Sequence, residues 1–254
     1  MTDDDAFIHA LVEGVGADPD VLGLVLCGSS AETGRRDQWS DHDFLLITAD
    51  GTPESYRTDL GWLPESDAIA FSFRETAHGL KVLYGSGLML EFAVFDRGEF
   101  GSCALNHYSV AIDRGGIADV AREVRARSLT PGTVDRVAEF RNFLSLIYLG
   151  TGRARRGELL SANVMIRTYA TEHLLRLVRD LLPADRLTSL DALDPWRRFE
   201  SADPEFAAAV DSAVARPCED CARALVDLAA STMPVRWPEY PVEDLEVVRA
   251  LLSW

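Results

Sequence analysis

The chain has 254 residues, 47% hydrophobic and 26% charged, enough for one large or two modest globular bodies with real cores. Its 41 acidic residues against 25 basic ones leave a formal charge of −16, a field that repels phosphate backbones and argues against long nucleic acid as a partner. The start, MTDDD, is acidic where a signal peptide needs positive charge, and no apolar run approaches ~18 residues, so the expectation is a cytoplasmic protein without a membrane span.

In chain order, Phe7, Ile8, Leu11 and Val12 have helical spacing and predict a short amphipathic helix over 5–15. The apolar run 21–27 reads as a buried strand, followed by a Gly28-Ser29 turn that opens toward a helix. A second strand is expected over 41–48, and Pro53 suits the first turn of a helix over 53–62. Strands are expected over 68–74, 80–84 and 88–95, the last two joined by Gly85-Ser86-Gly87 as a hairpin. A strand over 109–113, a turn at Arg114-Gly115-Gly116 and a helix over 117–127 close this part.

After Thr130-Pro131-Gly132 the pattern becomes helical. Val134, Val137, Phe140, Leu144 and Ile147 mark one apolar face of a helix expected to stop at Gly150-Thr151-Gly152. A longer helix is expected over 156–182, with others over 204–215, 217–231 and 243–253. The organisation is therefore an α+β domain over 1–130, with a mixed sheet and flanking helices, followed by an all-helical domain over 131–254. Of the four cysteines, Cys27 reads as core; Cys218-Glu219-Asp220-Cys221 lacks a second pair or histidines and reads as a helix's first turn rather than a zinc or redox site.

The chemistry concentrates near residue 40. Alternation along a strand puts Asp41 and Asp43 on one side and His42 on the other, with the aspartate Cα atoms about 6.6 Å apart. A sheet gains nothing from two adjacent like charges unless a cation lies between them, although a solvated strand start would also tolerate them. Upstream, Gly28 and Ser29 form the kind of turn that holds an anion on free N–H groups. Downstream, Glu91 interrupts the apolar run Leu88–Phe95, where burial without a cation would be costly. Asp96, in the following turn, is less suited as a third acid.

Gly28-Ser29, then Ser40-Asp41-His42-Asp43 ahead of an apolar strand, then Leu90-Glu91-Phe92: across roughly residues 20–96 this set resembles the DNA polymerase β-like nucleotidyltransferase superfamily. With a helical domain behind it, the chain looks most like the antibiotic nucleotidyltransferases acting on aminoglycosides and lincosamides, the helical half in architecture only. The resemblance implies a polymerase β-like sheet domain and a helical bundle that binds substrate. It implies that Gly28 and Ser29 hold the β- and γ-phosphates of ATP, with Ser30 and Arg35 beside them. Asp41 and Asp43 would bind two Mg²⁺ ions and Glu91 the catalytic one, while an acceptor hydroxyl attacks the α-phosphate and expels pyrophosphate.

Departures from the family pattern concern the cation that meets the triphosphate. Ser30, Ala31 and Glu32 stand where an arginine is usual, and Arg35 and Arg36 come later. Phe44 replaces an aliphatic residue after the second acid. For a general base, Glu91 is one option and Glu158, near the start of the long helix, the other. His173 reads as packed rather than catalytic, and Trp39 as either a cover for the nucleotide or a plug in the loop. The expected partners are a nucleoside triphosphate and a small hydroxyl-bearing acceptor, with a homodimer compatible. Two rival readings are transfer to a protein side chain or RNA end, and a nucleotide-binding regulator without turnover.

Overall fold

The computed structural model describes residues 3–31, 41–128, 133–187, 190–191 and 193–254. They fall into two compact units, Met1–Thr130 and Pro131–Trp254.

The first unit follows α1 (Asp3–Gly16), β1 (Val21–Cys27), β2 (His42–Thr48), α2 (Pro53–Thr58), β3 (Ile69–Arg74), β4 (Gly79–Tyr84), β5 (Met89–Phe95), α3 (Arg97–Ser102), β6 (Tyr108–Asp113) and α4 (Ile117–Ser128). The six strands form one sheet in the order β3-β4-β5-β2-β1-β6. Every neighbouring pair is antiparallel except β2 and β5, which run parallel. The β4–β5 connection is the expected hairpin: Gly87 has φ +93° and donates its N–H to Tyr84 O at 2.9 Å.

Alternation divides the strands between two cores. On one face Leu24, Phe44, Leu46, Val82, Leu90 and Phe92 pack with Leu11 and Val15 of α1 and Tyr56 of α2. On the other, Val25, Ile47 and Phe95 pack with Phe100 of α3 and Ile117, Ala121 and Val124 of α4. Residues with apolar atoms on both faces explain why β2 and β5 read as near-continuous apolar runs. Asp96 caps α3 through its side chain while Glu99 returns a carboxylate to the Asp96 N–H. This short helix is absent from the sequence expectations, yet Asp96 and Glu99 carry the capping-box spacing that signals it.

The second unit is helical: α5 (Arg136–Arg155), α6 (Leu159–Asn163), a π-helical stretch (Val164–Ala170) and α7 (Thr171–Asp180), then α8 (Ala184–Leu187), α9 (Phe199–Ala202), α10 (Pro204–Val214), α11 (Cys218–Arg236) and α12 (Val242–Leu252). Phe140, Phe143, Ile147, Ile166, Leu174, Leu177, Leu225 and Val226 form its core. The structure is thus the α+β sheet and trailing helical region that the patterning implies.

The expected stop at Gly150-Thr151-Gly152 is not one. Helix α5 runs through it to Arg155, because Gly150 sits where a Cβ would lie 2.6 Å from Ile166 Cγ1 and Thr151 is fully buried. Gly150 permits close helix contact rather than ending the helix. The end comes at Gly157, φ +81°, where Gly157 N–H donates to Ala154 O and Glu158 N–H to Arg153 O, a Schellman closure. The long helix expected over 156–182 accordingly begins at Leu159.

Candidate functional site

Parallel pairing of β2 and β5 sets Asp43 directly beside Glu91. The same register continues across the whole sheet, so that Phe73, Lys81, Glu91, Asp43, Cys27 and Tyr108 stand in one rung on one face. Asp41 immediately precedes β2 and points to that side. One carboxylate oxygen from each of Asp41, Asp43 and Glu91 lies within 4.8 Å of the other two, and all three residues are partly exposed. They form the sole cluster of this kind among the described residues. Glu91 therefore shares its face with the aspartates, as the expectation required.

His42 points the other way. It is 1% exposed, its Nδ1 lies 3.3 Å from Ser30 Oγ, and its ring stacks on Phe7 at 5.7 Å. Ser30, expected at the nucleotide, is thus buried against the ring beneath the site. Gly28 and Ser29 belong to a 3₁₀ turn over Gly28–Ala31 that follows β1 without a break. Gly28 has φ +55°, a region that glycine enters without steric cost, and its N–H donates to His107 O at 3.1 Å. A Cβ there would lie 2.6 Å from Asp43 Oδ2, so the turn passes directly against this carboxylate. Arg35, Arg36 and Trp39 lie outside the described residues.

Two neighbours of the acids were not foreseen. Lys81 reaches Glu91 Oε1 at 2.8 Å and Glu75 Oε1 at 3.1 Å, and these two carboxylates, Glu91 foremost, push its ammonium up to about 12. The signal was available. Lys81 and Glu91 are each five residues from Ser86 at the hairpin tip, and alternation turns both away from buried Leu80, Val82, Leu90 and Phe92. Cys27 occupies the rung on the other side of Asp43. Burial first, then the Asp43 charge and Cys103, push its thiol up to about 12.

Glu158 belongs to the second unit, at the head of α6. Its carboxylate is half exposed, accepts from Arg156 Nε at 2.9 Å, and is held below the usual glutamate range by that guanidinium. His173 Nδ1 lies 2.6 Å from Glu139 Oε2 and ties α7 to α5. Cys218 and Cys221 are buried, with both thiols raised by that burial.

Hard carboxylate oxygens gathered this closely suit a small hard dication such as Mg²⁺, which prefers oxygen ligands and keeps part of its water. Gly28, lacking a side chain, lets the turn lie directly against the Asp43 carboxylate. Among the described residues no helix is long and apolar enough to cross a membrane.

No family model matches the chain, and no curated protein does. Among solved structures it is similar to a nucleotidyltransferase-like protein from Exiguobacterium sibiricum 255-15, with 13% sequence identity, 91% of this chain and 76% of that one covered, and a TM-score of 0.36. Likeness at that level does not define chemistry, which rests on the acids themselves.

Proposed function

We propose that the chain is a Mg²⁺-dependent nucleotidyltransferase that moves AMP from ATP onto a hydroxyl of a small acceptor. The observation that carries this reading is the convergence of Asp41, Asp43 and Glu91 within 4.8 Å, with a left-handed glycine turn against Asp43. Asp41 and Asp43 would hold two Mg²⁺ ions, with Glu91 contributing the third carboxylate. When bound, the ions stabilise charge on the attacking and leaving oxygens.

The Gly28–Ser29 turn meets the β- and γ-phosphates, with the Gly28 N–H kept by His107 O, and Arg35 adds positive charge. The acceptor oxygen forms its bond to the α-phosphorus as the bond to the bridging oxygen breaks, and pyrophosphate leaves. The hydroxyl proton passes to a carboxylate. Glu91 is favoured for this because it stands in the acidic cluster itself, beside Asp43. The charge of −16 favours an amine-bearing acceptor, and aminoglycosides and lincosamides are the first candidates, with antibiotic modification in the cytoplasm as the corresponding role.

Pyrophosphate release from ATP and Mg²⁺ across a panel of those acceptors tests the proposal. Asp43→Asn should lower the rate by about 10²–10³-fold, the scale set by losing one charge-stabilising group. A wild-type rate no higher than that of the variant on every acceptor would refute it.

A further inference from the structure

Lys81 is the only lysine in the chain, and its ammonium rests on one of the three clustered acids. Stability does not account for this placement. The side chains of Lys81, Glu91 and Glu75 are 25%, 41% and 48% exposed, and pairs so exposed contribute little to folding. The next residue along the rung, Phe73, is 48% exposed, so this end of the sheet face is uncovered. A lysine ammonium is a compact charge on a flexible stem, able to release one carboxylate while keeping another. Glu75, on the segment after β3, is that second anchor.

We infer that Lys81 is the resident counter-ion of Glu91, a positioning residue that holds this acid on the cluster's face and yields it to an incoming divalent cation. The inference rests on the metal-binding reading above. Lys81 offsets one of the three negative charges and prevents Glu91 from swinging into solvent in the metal-free protein. The same grip sets a threshold for metal, because the cation must compete for Glu91 Oε1. Once displaced, Lys81 stays on Glu75 while its own strand position remains next to Glu91, with its charge facing whatever anion accompanies the metal.

Mn²⁺ alone, titrated into the full chain and followed by calorimetry and by the paramagnetic resonance of free Mn²⁺, tests this without any turnover. Lys81→Met should bind Mn²⁺ at least about threefold more tightly, the range expected for removing a partly exposed pair, whereas Lys81→Arg should bind close to wild type. Arg74→Met removes an equal charge from β3, whose guanidinium pairs with Glu54 instead, and should leave the affinity within about twofold. Unchanged or weaker binding by Lys81→Met overturns the inference, as does equal tightening by Arg74→Met, which would reduce the effect to general field. Asp43→Asn separates the two layers. If wild type shows no Mn²⁺ binding that Asp43→Asn removes, both the metal site and the inference fall; if it does, and Lys81→Met matches wild type, the inference alone falls.

Discussion

At Gly28 a single methyl group would do two kinds of damage. Alanine is strained at φ +55° by about 1–2 kcal/mol, and its Cβ would press on Asp43 Oδ2. Gly28→Ala should therefore melt a few degrees lower and also lose Mn²⁺ affinity by about tenfold, more than the lost stability accounts for; calorimetry and a thermal melt read the two effects separately. A second residue-scale prediction concerns acid. Tyr56 donates to Asp18 Oδ2 at 2.6 Å, and that bond, with the Asp20 N–H, holds the Asp18 carboxyl below the usual aspartate range. A depressed folded value means that the stabilisation is present above the unfolded pKa, near 3.9, and disappears as pH falls through the lower folded value. Tyr56→Phe should cost about 1 kcal/mol at pH 7, and denaturant titrations should show the gap closing below about pH 4.

Among the elements, Gly150 and Ile166 show how tightly α5 and the π-helical stretch are fitted. Gly150→Val should cost about 1–3 kcal/mol by overpacking, and Ile166→Ala on that background should recover part of the loss, which a double-mutant cycle would measure as coupling. This contact also shows where sequence reading ends. Glycine pairs signal helix stops only when the chain turns there, and nothing local distinguishes Gly150, which admits a neighbour, from Gly157, which takes the positive φ. All six strands were legible because each is a short apolar run between turn residues, and the acids were legible because alternation fixes the side to which each points. The parallel sense of the β2–β5 pair was not, since parallel partners need no adjacent turn to announce them. Lys81 was overlooked because a lysine in a half-buried strand reads as solvated, although the hairpin count pairs it with Glu91.

Over the whole molecule, each unit has its own hydrophobic core. A fragment of residues 1–130 should thus fold cooperatively and retain Mn²⁺ binding near that of the full chain, as circular dichroism melts and calorimetry would report. The net charge of −16 gives a different prediction: self-repulsion is screened by salt, so the full chain should melt several degrees higher at 0.3 M NaCl than at 0.02 M. For an amine-bearing acceptor the same screening should raise KM with ionic strength while leaving kcat nearly constant.

The rung that seats Asp43 next to Glu91 joins residues 48 positions apart in sequence, with α2, β3 and β4 between them. Closing so large a loop carries an entropic cost that local hairpins do not, so this pairing should form late. Ion uptake during refolding should then lag behind hairpin formation, making a divalent cation a clock for the moment the topology is complete.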